Sequence, residues 1–168
     1  MPQIFLLLIF IGFSTSQEVG CRYFRSEFGY SCQLANVNIE FETEEISIGG
    51  VHLPNFADKD VEYLSTTFSS MNFIPKEILT KFQNLKTLDL GDVRLKSIKE
   101  DSFFNCDQLL TLLLNVNLLE LLHDRAFNFC KNLKTLNLRS NFITEIDGGA
   151  FAELSALETL ELSYNRLI

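Results

Sequence analysis

LLTLLLNVNLLELL (109–122) returns 24 residues later as LKTLNLRSNFITEI (133–146), and 24 residues earlier it stands as LKTLDLGDVRLKSI (85–98). LETLELSYNRLI (157–168) begins the same pattern again. Four apolar positions open every turn: Leu85, Leu88, Leu90 and Leu95; Leu109, Leu112, Leu114 and Leu119; Leu133, Leu136, Leu138 and Ile143; Leu157, Leu160, Leu162 and Leu167. Ile98, Leu122 and Ile146 keep the same step, as do Phe103, Phe127 and Phe151. One period further back, Val61, Leu64, Thr66, Ser69, Met71, Ile74 and Leu79 form a degenerate first turn. A fixed period of this length marks a stacked array in which each turn buries its apolar face against its neighbours.

The alternation at Leu88 and Leu90 predicts a short strand with both leucines inward. Corresponding strands then lie side by side as a parallel sheet, with the phenylalanine column filling the far side. Asn117, Asn141 and Asn165 share one position, where a side-chain amide can bond backbone groups of the bend. Val93 and Ser69 break that column. Valine cannot bond the bend, so that turn is expected to use water or a changed loop.

Residues 4–13, IFLLLIFIGF, are unbroken apolar and are followed by Ser14-Thr15-Ser16. A run of about ten apolar residues before small ones reads as a secretory signal peptide, too short to span a bilayer. Residues 1–16 are assigned to it, 17–60 to an N-terminal cap and 61–168 to the repeats (61–84, 85–108, 109–132, 133–156 and a partial 157–168). Export permits disulfides. Cys21 and Cys32 precede the first turn and are expected to pin the cap over the open end of the core. Cys106 and Cys130 occupy a core position held by Phe82 and Leu154 in other turns. Parallel Cβ vectors there would suit a bridge poorly, so both are expected as buried thiols. Within the cap, Val37, Ile39 and Phe41, then Ile46 and Ile48, alternate before Gly49-Gly50 and predict a strand pair.

The net charge is −8, with no basic stripe, which argues against nucleic acid and anionic membrane surfaces as partners. EFETEE (40–45) lacks the spaced ligands and turn glycine of a calcium loop and reads as an acidic strand face. His52 and His123 have no second pair to complete a metal set, and His123 falls on an outer bend. Acid pairs such as Asp58 and Asp60 are common on acidic surfaces. No nucleophile elbow, zinc-helix motif or phosphate loop is present, so neither catalysis nor a cofactor is expected.

What remains is a concave surface. Its columns are Tyr63, Thr87, Thr111, Thr135 and Thr159; Ser65, Asp89, Leu113, Asn137 and Glu161; and Thr67, Gly91, Asn115, Arg139 and Ser163. The threonines are read as sheet packing. Tyr63, Ser65, Asp89, Leu110, Leu113, Asn115, Asn137, Arg139 and Glu161 are the candidate binding face. Leu113, with Leu110 and Val116, makes an apolar spot at its centre, which an exposed leucine without function would equally explain.

The repeats resemble the typical 24-residue class of extracellular leucine-rich repeat proteins. The cap, through Cys21, Tyr30, Cys32, ISIGGVHLPNFADKDVEYL (46–64) and IPKEIL (74–79), resembles that of small secreted insect members. The resemblance implies an α/β right-handed leucine-rich repeat solenoid with a parallel concave sheet, an irregular or short-helical convex side and an N-terminal disulfide cap. It also implies non-catalytic binding of an extracellular protein ligand or receptor. The alternatives are recognition of pathogen surfaces and a fragment of a cell-surface receptor ectodomain. The pattern stops at Ile168 without a polar cap, so either truncation of a longer repeat protein, the favoured reading, or self-association through the uncapped edge is expected.

Overall fold

The computed structural model describes residues 16–41 and 45–168, so the apolar run at 4–13 and residues 42–44 of the acidic stretch lie outside the described residues. The chain opens with an antiparallel hairpin, β1 (Gln17–Ser26) and β2 (Gly29–Ala35), in register from Cys21 opposite Leu34 to Ser26 opposite Gly29. Val19, Cys21 and Tyr23 on β1, and Tyr30, Cys32 and Leu34 on β2, turn inward as period-2 alternation requires. In the tight turn Ser26 Oγ accepts the Phe28 N–H at 3.1 Å, and Gly29 takes a φ of +102° that a side chain would resist. Cys21 and Cys32 are bonded across this hairpin, with Cα atoms 5.7 Å apart.

The strand pair expected over 37–48 does not form. Its inward residues Val37, Ile39, Ile46 and Ile48 are buried, but β3 (Asn38–Ile39) and β4 (Ile46–Gly49) join different sheets. β4 runs parallel to β1, and β3 runs parallel to β6 (Ser70–Met71). Each segment thus finds its backbone partner in another part of the fold, and Phe41 is left 65% exposed.

A 3-10 turn (Asp58–Asp60) leads into β5 (Val61–Thr67), and α1 (Glu77–Lys81) follows β6 on the convex side. The remaining turns contribute β7 (Thr87–Asp89), β8 (Thr111–Leu113), β9 (Leu121–Leu122), β10 (Thr135–Asn137), β11 (Glu145–Ile146) and β12 (Thr159–Glu161). Eight strands form the main sheet in the order β4-β1-β2-β5-β7-β8-β10-β12, parallel from β2 onward. β9 and β11 pair in a small second sheet. The 24-residue period is the register: Leu64, Leu88, Leu112, Leu136 and Leu160 stand side by side.

Behind them one apolar core runs unbroken from the cap through the repeats. Each fully buried leucine contributes about 1.5–3 kcal/mol relative to exposure. Phe103, Phe127 and Phe151 stack with ring centroids 5.6 and 6.0 Å apart.

The asparagines stitch successive turns rather than closing only their own. Asn117 Nδ2 donates to Leu114 O in its own turn at 3.0 Å and to Leu90 O in the preceding one at 2.8 Å. Its Oδ1 accepts the Val93 and Leu95 N–H groups at 3.2 and 2.9 Å. Asn141 and Asn165 repeat the two carbonyl bonds and accept one N–H each, from Leu119 and Ile143. The valine turn therefore needs neither water nor a changed loop, because the next turn's asparagine reaches back to serve it. The gap appears one turn earlier: Met71 N–H bonds Val93 O instead, and the buried Thr66 Oγ1 has no partner among the described residues.

Cys106 and Cys130 also depart from expectation, for they are bonded, with Cα atoms 4.9 Å apart. Parallel stacking brings equivalent positions within the normal Cα range of a bridge, and these bends let the two sulfurs meet. Among the described cysteines none is free.

Candidate functional site

The concave face carries the candidate residues in the columns that the period defines. Tyr63, Thr87, Thr111, Thr135 and Thr159 stand in line, as do Ser65, Asp89, Leu113, Asn137 and Glu161. β2 extends both columns into the cap with Ser31 and Gln33. Ser31 is buried, whereas nearly all the repeat residues of these columns are half-buried, as expected of side chains standing on an open sheet.

Three rungs close on themselves. Asp89 Oδ1 accepts the Gly91 N–H at 3.0 Å, Asn137 Oδ1 accepts the Arg139 N–H at 3.0 Å, and Glu161 Oε1 accepts the Ser163 N–H at 2.9 Å. These bonds from Ser163 hold the Glu161 carboxyl below its ordinary pKa, with Arg139 adding to the effect. Tyr63 stacks on Phe28 of the cap hairpin at 5.0 Å and donates to Asp89 Oδ2 at 3.4 Å. Burial first, and the nearby Asp89 charge second, push its phenol pKa up. Arg139 lies over the Tyr164 ring at 4.4 Å.

Along the edge where the strands begin, Lys86 pairs with Glu62 and Lys134 pairs with Glu158 at 2.8 Å. Leu110 occupies the position between them, half-buried, with Leu113 half-buried and Val116 49% exposed further along the same turn. Val116 takes a φ of +57°, the left-handed value shared by Phe68, Asp92, Ser140 and Tyr164 at the same place in their turns. A β-branched residue is strained in that conformation.

A second polar constellation, not singled out from the sequence, sits in the cap. His52 Nδ1 lies 3.0 Å from Tyr30 Oη, and its Nε2 lies 2.9 Å from Asp58 Oδ1. Lys81 of α1 donates to Asp58 Oδ2 at 2.8 Å, and Tyr23 donates to Oδ1 at 3.2 Å. Tyr30 is almost fully buried and also receives the Leu53 N–H, while His52, Asp58 and Lys81 are partly exposed. The arrangement ties the cap hairpin to the first convex helix. Its signal was spacing too irregular for a motif: five residues spread from 23 to 81. His123 is exposed on its outer bend, 3.8 Å from Asp147. Among the described residues no group of three His, Cys, Asp or Glu side chains is placed to hold a metal. A shallow cavity of about 150 Å³ beside α1 is lined by Ile39, Phe73, Ile74 and Pro75 and by the charged side chains of Glu45, Lys76, Glu77, Lys99 and Asp101, with Lys76 paired to Glu45 at 3.1 Å.

The sequence profile of the family described as Leucine rich repeat matches residues 107–167. No curated protein sequence matches the chain significantly. Among solved structures, the fold is similar to that in the crystal structure of the LRIM1/APL1C complex, with a TM-score of 0.74 and 22% identity over 89% of this chain and 27% of that one. The APL1 leucine-rich repeat domain gives 0.73 and 21% over 89% of this chain and 37% of that one. The complex of Toll and Spatzle, described as a molecular hub in Drosophila development and innate immunity, gives 0.59 and 26% over 78% of this chain and 18% of that one. The chain thus spans 27%, 37% and 18% of the length of these three structures. It is a leucine-rich repeat solenoid resembling insect leucine-rich repeat proteins.

Proposed function

We propose that this leucine-rich repeat chain is a secreted, non-catalytic binding module that takes an extracellular protein on its concave face. The observation that carries the reading is the contrast within that face: a uniform threonine column beside two columns that change residue at every turn. Uniform positions are what sheet packing asks for, and varied exposed ones are where a partner can be read. Two of the structures it resembles are, by their descriptions, complexes between proteins. Export is supported by the apolar run at 4–13 and by two disulfides, which persist in oxidising surroundings. Recognition of pathogen surfaces is the second reading, favoured by the innate-immunity setting of the Toll complex.

A photo-crosslinking amino acid in place of Thr135 on the concave sheet, against one in place of the exposed Glu153 on the convex side, tests this in extracellular fluid. A discrete adduct is expected from position 135 alone. Adducts from both positions alike, or only from 153, would refute the concave reading.

A further inference from the structure

The apolar run at 4–13 gives way to Ser14-Thr15-Ser16, and β1 starts at the next residue, Gln17. Signal peptides are cut after a small residue that has another small residue two places before it, and Ser16 and Ser14 supply that pair. A cut there makes Gln17 the amino terminus. An amino-terminal glutamine has a reaction open to no internal one. Its α-amine, when unprotonated, attacks the Cδ of its own side-chain amide. The N–Cδ bond forms, the Cδ–Nε2 bond breaks, and ammonia leaves with one proton from the amine. A five-membered lactam, pyroglutamate, remains.

The fold engages every group that this reaction uses. Gln17 N–H donates to Glu45 O at 3.0 Å, on the segment that enters β4. The side chain turns elsewhere: Nε2 donates to Asn36 O at 3.0 Å, and Oε1 accepts the Asn38 N–H at 3.1 Å. The stretch that holds it is itself fastened to the first repeat. Asn36 N–H donates to Thr67 O at 3.2 Å, Val37 N–H donates to Ser69 Oγ at 3.2 Å, and Val37 O accepts the Ser70 N–H at 2.8 Å. Ring closure has to swing the amide carbon off residues 36–38 and onto the α-nitrogen, which breaks both side-chain bonds. The lactam keeps no NH2 for Asn36 O.

We propose that Gln17 is the amino terminus of the exported chain and a guarded modification site, held as open glutamine by the folded cap and closing to pyroglutamate only when the start of β1 comes away. The inference rests on the secretion reading above. Closure runs through the fraction of molecules in which the tie is broken, so its rate reports local opening of the cap. The three bonds lie near the surface and each shifts that fraction modestly. Together they are expected to slow closure roughly tenfold or more.

The test is the full chain, leader included, expressed in a secretory host and purified from the medium. Tryptic peptide 17–22, released after reduction, reads both the terminus and the loss of ammonia by mass. The secreted protein should begin at Gln17 with its amine free. On incubation at neutral pH it should lose ammonia roughly tenfold or more slowly than the same protein reduced and unfolded in urea. Asn38→Pro removes the N–H that Gln17 Oε1 accepts and should speed the loss several-fold. Amide exchange in the parent protein gives a second reading that needs no proline: Asn38 N–H should exchange slowly there and faster in Gln17→Ala. Equal rates in folded and unfolded protein, a terminus already closed on secretion, or equal Asn38 exchange in parent and Gln17→Ala would overturn the proposal. A terminus at another residue overturns it and leaves secretion standing. Retention of the chain inside the cell overturns the secretion reading as well.

Discussion

Asn117 shows how much one side chain can hold when its amide faces two turns at once. It satisfies the Val93 and Leu95 N–H groups and the Leu90 and Leu114 carbonyls, all in a site that is 2% exposed. Asn117→Ala would strand several buried polar groups and is expected to cost about 3–5 kcal/mol in urea unfolding. Asn165, half-buried in the last turn, should cost clearly less. Val93→Asn tests the same geometry from the other side. An amide at 93 could donate to the carbonyl of Thr66 as Asn117 donates to that of Leu90, and is expected to raise stability by about 1 kcal/mol. The asparagine column was plain in the sequence, but its reach into the preceding turn was not. A repeat pattern gives positions along the chain, while the direction of a side-chain bond depends on how neighbouring turns stack. The inward and outward registers were legible because a strand alternates with period 2, which put Leu112 at 0% exposure and left Leu113 half-buried. Phe127→Ala is expected to cost about 3–5 kcal/mol and Leu113→Ala well under 1 kcal/mol in the same measurement.

The cap elements were the hardest to read. Alternation is present in Val19, Cys21 and Tyr23 and again in Tyr30, Cys32 and Leu34, but it is carried by cysteine and tyrosine, so the stretch looks merely mixed in polarity. The aliphatic alternation at 37–48 drew the strand pair there instead, although those strands belong to separate sheets. The clasp between hairpin and α1 should make the cap sensitive to pH at both ends. Burial alone would raise the Asp58 pKa, but hydrogen bonds from Lys81 and His52 together bring it below its ordinary value. A folded pKa below the unfolded one stabilises above about pH 4 and loses that contribution as pH falls through the folded value. Asp58→Asn should therefore flatten the acid limb of a thermal-melting titration. Tyr23 is raised, by burial first and the Asp58 charge second. Its contribution is complete below about pH 10 and is lost as pH rises further, so Tyr23→Phe should flatten the alkaline limb.

At the scale of the whole molecule, the period predicted the order of the repeat strands and the continuity of the core. Stacking one turn on the next leaves little freedom in either. The bridge at Cys106 and Cys130 was not legible, because identical positions in adjacent turns can approach within bridging range without the sequence saying which way their side chains turn. Replacing both residues by alanine is expected to lower stability by about 3 kcal/mol, read as a shift in the urea midpoint. The bridge has a further consequence for the fate of the chain once it meets a protease. Arg125, whose side chain is 65% exposed, lies inside the ring that the bridge closes. A tryptic nick there divides the polypeptide without dividing the molecule: the pieces ending at 125 and beginning at 126 stay covalently joined and migrate as one species until a reductant is added. A single backbone cut at this turn is survivable damage, whereas the same cut in the fourth turn, which no bridge encloses, frees a fragment.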